Sequence, residues 1–64
     1  MGRYAVVIST TTKAREFRFD DLDAARDSAN DLWRWARQNG ERGTITLYEG
    51  DEAGGWRMVT HVEV

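Results

Sequence analysis

The chain has no cysteine among its 64 residues. That excludes disulfide staples and the usual thiolate metal sites. A domain of this length buries only about 60% of its unfolded surface on folding. Without staples it needs a dense core, expected here from three Trp, two Tyr and two Phe, or help from an oligomer. Long apolar runs are also missing, and none approaches the ~20 residues that cross a bilayer. The apolar stretch near the start, Tyr4 to Ile8, is too short for a secretory segment. Val6 stands where N-myristoylation requires Ser or Thr. These features predict a soluble cytoplasmic protein with no membrane partner.

Charge of one sign is absent as well. Eleven acids against nine bases give −2, which argues against both a polybasic nucleic-acid binder and a heavily acidic nucleic-acid mimic. Lysine is nearly absent: eight of the nine bases are Arg, and Lys13 is the exception. GC-rich coding explains that ratio, and so does selection for interfaces, where the planar, weakly hydrated guanidinium is favoured.

Catalytic signatures are equally scarce. The sole histidine, His61, has Glu63 two residues on, a pair able to orient an imidazole, but a solvent-facing polar residue explains it as well. There is no nucleophile elbow and no phosphate loop. Gly50-x-x-x-Gly54-Gly55 lacks the Lys-Ser/Thr of such a loop and reads as a hairpin connection. Asp20, Asp21, Asp23, Asp51 and Glu52 do not have EF-hand spacing. The sequence therefore points to no catalytic residue, no metal and no cofactor.

What is present is a clear succession of periodicities. Tyr4–Ile8 is apolar on both parities, the pattern of a central strand. Ser9 to Lys13 is a polar turn, and Arg15–Phe19 alternates with Phe17 and Phe19 on one face, so the first two strands form a hairpin. Asp20, with Asp23 three residues later, reads as a helix cap, and Asp21 adds charge at the positive end of the helix dipole. Leu22, Ala25, Ala29, Leu32, Trp33 and Ala36 make one stripe on a helix that runs to about Gln38, where Asn39-Gly40 stops it. Thr44–Tyr48 is a third strand, Glu49 to Gly55 a loop, and Trp56 to Val64 a fourth strand. Strict alternation in that last strand sets Trp56, Met58, Thr60 and Val62 on one side, and Arg57, Val59, His61 and Glu63 on the other. The prediction is one α+β domain over residues 1–64, ββαββ, with an antiparallel sheet in the order 2-1-3-4 and one helix on one face.

Two surfaces follow as candidate partner sites. On the helix, Asp23, Asp27 and Asp31 recur every four residues as an exposed acidic ridge flanked by Arg34. Trp35 lies about 110° from the centre of the apolar stripe, over small neighbours. It reads either as an interface anchor or as a lid on the rim of the core. The ridge reads either as a solvated face or as a docking surface for a basic groove. The uncovered sheet face offers Arg18, Tyr48, Arg57 and His61. The function expected is a non-catalytic protein-binding module that inhibits by occlusion, of the size and layout that phage and mobile elements use against host defences such as CRISPR systems. The alternatives are a sheet that binds single-stranded nucleic acid, which normally presents two or more aromatics, and a small homodimeric accessory subunit.

Overall fold

The computed structural model describes residues 2–64; Met1, where the expected domain begins, lies outside the described residues. Strand β1 (Tyr4–Thr10) and strand β2 (Ala14–Phe19) form a hairpin, helix α1 (Leu22–Gln38) crosses over, and β3 (Gly43–Gly50) and β4 (Trp56–Glu63) form a second hairpin. All pairings are antiparallel and the spatial order is β2-β1-β3-β4. The crossover sets β3 beside β1, so the most apolar strand is central.

Register assigns the faces, because directly opposed residues share one side of a sheet. Val6 lies opposite Phe17 and Leu47, and Ile8 opposite Ile45. These side chains face the helix and make the core with Ala25, while Ala36 is also fully buried. The core is aliphatic and not aromatic as composition implied. Tyr4, Phe17, Phe19, Leu22, Leu32 and Trp35 pack around it, partly exposed.

The helix starts one residue later than the acidic signal placed it. Asp21 is the cap, accepting from the Ala24 amide at 3.0 Å, whereas Asp20 accepts from the Gly2 amide at 2.7 Å and ties the start of the chain to the hairpin. At the other end the Glu41 amide reaches the Ala36 carbonyl (2.8 Å) and the Gly40 amide the Arg37 carbonyl (3.3 Å), with Gly40 at φ +65°. This pair of bonds satisfies the last helical carbonyls.

Two local features shape the sheet. At Gly43 the backbone of β1 comes so close that a Cβ would lie 2.0 Å from the Ser9 carbonyl oxygen. In β4 the register slips: Leu47 pairs with Thr60 but Tyr48 pairs with Met58, so Val59 is an extra residue. A bulge of this kind shifts the alternation of the strand by one.

Candidate interaction surface

The bulge decides which side chains the open face presents. Beyond it, Thr60 and Val62 keep the helix side, opposite Leu47 and Ile45. Before it the parity reverses. Met58 lies opposite Tyr48 and Trp56 opposite Gly50, so both join the open face, while Arg57 moves to the helix side opposite Glu49. Arg57 there forms an ion pair with the Glu49 carboxylate at 2.5 Å. Of the four residues expected on the open face, Arg18, Tyr48 and His61 are there and Arg57 is not. Trp56 and Met58 take its place, 44% and 59% exposed.

These residues are organised across the sheet. Ala5 lies between Arg18 on β2 and Tyr48 on β3, with Met58 beyond. The Trp56 ring extends back over Gly50, where a Cβ would meet it at 3.2 Å, and reaches the Arg18 guanidinium, 4.7 Å from the ring centroid. Arg18 is also paired with the Glu16 carboxylate two residues before it. The result is a clasp between the two edge strands. It leaves Ala5 only 4% exposed although no element among the described residues covers that side, and it bounds a hollow of about 200 Å³ with Val7 and Tyr48. One row along, Thr46 and His61 share a hydrogen bond of 2.9 Å between Oγ1 and Nδ1. His61 is thus held by a hydroxyl, and Glu63 does not orient it.

The helix face divides differently from the wheel. Helix α1 packs on β1, β2 and β3 and not on β4. Trp35, on the β2 side, is partly buried against the core, and the Lys13 ammonium sits 4.1 Å from its ring centroid. It is a lid on the core rim. With Lys13 and Phe17 it lines a shallow depression that Asp27 and Asp31 border, whereas Asp23 and Arg34 stand outside it. Arg34 lies 3.7 Å from the Asp31 carboxylate, an exposed pair of little energetic weight. Trp33, assigned to the stripe, is 38% exposed with the Arg37 guanidinium 5.0 Å from its ring. It walls a trough of about 400 Å³ between helix and sheet, floored by Ile45 and Leu47 and closed at the edge by Thr60 and Val62.

Elsewhere the polar groups serve the fold. Glu41 accepts hydroxyl hydrogen bonds from Thr12 (2.5 Å) and Thr10 (2.8 Å), which hold its carboxyl below the ordinary glutamate value of 4.5. Asp51 closes its own loop by accepting from the Gly55 amide at 2.7 Å, with Gly54 at φ +86°. Among the described residues no three His, Asp or Glu side chains converge as a metal site would require, and no helix is long and apolar enough to cross a membrane. Comparison of the chain with protein-family models, with curated proteins and with solved structures found no match.

Proposed function

We propose that this chain is a non-catalytic protein-binding module that inhibits by covering part of a partner protein, and that its contact surface is the open sheet face around Trp56. One observation carries the reading: the bulge at Val59 turns Trp56 and Met58 outward beside Arg18 and Tyr48. Trp, Tyr, Met and Arg are the residue types enriched at protein interfaces, and Trp, Tyr and Arg dominate their hot spots. Much of both side chains stays in water in the isolated fold, and contact with a partner would remove it. The Arg18–Trp56 clasp presents the pair with part of the ordering already done, which lowers the entropic cost of contact.

The test is affinity capture with the wild-type chain and with Trp56→Ala and Arg18→Glu, each checked for its fold by circular dichroism. Capture lost in both variants supports the reading. Capture retained in both refutes it, and the helix-side surface around Asp27, Asp31 and Trp35 then becomes the alternative.

A second reading rests on the same finding. Trp56 and Tyr48 give the open face two aromatics, the number that base-stacking sheets present. Against it, the Trp56 ring already carries a guanidinium, and Glu16 and Glu63 share the face. Titration of tryptophan fluorescence with single-stranded DNA and RNA at low salt separates the two readings. Salt-sensitive quenching lost in Trp56→Ala favours nucleic acid, and unchanged fluorescence at high oligonucleotide concentration removes it.

A further inference from the structure

We propose that the outer edge of β4 pairs antiparallel with β4 of a second copy of this chain, about a two-fold axis at Val62, giving a continuous eight-stranded sheet. This surface is the edge and the helix-side trough, distinct from the open face.

Among the described residues, β4 is the only strand exposed along its whole length. Four of the large apolar side chains left in water, Trp56, Met58, Val59 and Val62, belong to it, and the fifth, Trp33, faces it across the trough. The chain exposes 4580 Å². A compact monomer of its mass is expected to expose roughly 4200 Å². The excess, about 400 Å², is about half of the ~800 Å² per partner that a standard interface buries. Pairing two copies covers Val62 and the Trp33 side of the trough and leaves Trp56 and Met58 to the open face.

The edges of the sheet also differ. Strand β2 carries Arg15, Glu16 and Arg18 within six residues, the charged guard that natural edge strands use. Strand β4 has its formal charges near its ends, Arg57 and Glu63, and neither Pro nor Lys. The bulge disrupts the edge before Thr60, so pairing is confined to Thr60–Glu63. Within that stretch a two-fold at Val62 sets Val62 against Val62 of the second copy on the helix side. It also sets His61 against Glu63 of the second copy, twice, on the open face. Faces agree in this register. Thr46 holds His61 through Nδ1, which leaves the other ring nitrogen for the carboxylate. A two-fold at His61 would instead oppose the two imidazoles and set Val59 against Glu63. The Val62 register also brings the two troughs together, so that Trp33 of each copy flanks the junction. A two-fold contact closes on itself and stops at the dimer.

The test uses the 64-residue chain and its lack of cysteine. Sedimentation equilibrium is expected to give twice the 7.3 kDa monomer mass at high concentration, and Val62→Lys to weaken association at least about tenfold while circular dichroism is unchanged. Directly opposed residues lie about 4.5–5.5 Å apart between Cα atoms, within disulfide range. Val62→Cys therefore cross-links on mild oxidation. Thr60→Cys, displaced from its counterpart by about four residues or ~13 Å, does not. A mass of 7.3 kDa up to about 1 mM overturns the proposal, and so does a dimer in which Val62→Cys fails to cross-link or Thr60→Cys links equally well. A monomeric result leaves the open-face reading standing, because capture through Trp56 does not require the β4 edge.

Discussion

Replacing Gly43 by Ala tests the tightest contact in the fold. A Cβ at this position would lie 2.0 Å from the Ser9 carbonyl oxygen and 2.7 Å from the Thr10 Cα, both backbone atoms of β1. No rotamer change relieves that overlap, so the end of β1 must withdraw from β3 by more than 1 Å. Hydrogen bonds do not survive such a displacement. The two bonds that the Arg42 carbonyl accepts from Thr11, from its amide at 3.1 Å and from its hydroxyl at 3.4 Å, are lost. At about 1 kcal/mol per bond, and about 1 kcal/mol for a non-glycine residue at φ +157°, the cost is roughly 3 kcal/mol. A chain of 64 residues has roughly 3–10 kcal/mol of stability in all. The variant therefore sits near the unfolding midpoint or melts roughly 10–25 °C lower. Gly40→Ala is the matched control. Its φ is +65°, but nothing lies within 4 Å of the added Cβ, so it carries the backbone term alone, about 1 kcal/mol. Urea denaturation followed by circular dichroism measures both. If the two variants differ by less than about 0.5 kcal/mol, the close approach of β1 and β3 is not what this position protects.

The two helix tryptophans are expected to behave differently in dilute solution: Trp35→Ala loses roughly 1–3 kcal/mol because its ring packs on the core, and Trp33→Ala less than about 1 kcal/mol, both read from urea midpoints. Asp21→Ala removes the acceptor of the Ala24 amide and costs about 1 kcal/mol, with faster hydrogen exchange at that amide, whereas Asp20→Ala leaves that exchange unchanged. Ile8→Ala empties a fully buried site and costs roughly 2–5 kcal/mol in the same denaturation assay. The Glu41 carboxyl is held below 4.5 by Thr12 and then Thr10, so its contribution is present above 4.5 and lost as pH falls through its lowered folded value. Urea midpoints measured from pH 6 downward should fall more steeply below that point for the wild type than for Glu41→Gln, and parallel curves refute the role.

Element order and the C-terminal end of the helix were legible because each has a local chemical cause, and strand order followed from the crossover that sets β3 beside β1. The alternation in Arg15–Phe19, the stripe from Leu22 to Ala36 and the stop at Asn39-Gly40 are all short-range patterns. The surface was harder to read, for two reasons. The bulge at Val59 leaves no mark in composition, since Trp56–Glu63 contains no glycine and alternates cleanly on paper. One uncounted residue was enough to exchange Arg57 for Trp56 and Met58 on the open face. The helical wheel, likewise, ranks residues by angle but does not say where the helix lies across the sheet. With α1 seated over β1, β2 and β3, Trp35 gains β2 and Lys13 as neighbours, while Trp33 overhangs the gap above β4. The one-residue error at the cap has a similar origin: two adjacent aspartates compete, and Asp20 is drawn to the Gly2 amide.

Each indole in this chain has a cation over its ring and stands at a different place: Trp33 beside the trough, Trp35 beneath the first hairpin's turn, Trp56 on the bare sheet. The molecule therefore carries three intrinsic fluorophores that report on separate territories. Variants retaining one tryptophan at a time would respond to whatever covers that territory, with the nearby ammonium or guanidinium shifting the emission as it is displaced. An unlabelled sample can in this way locate its own contact by colour.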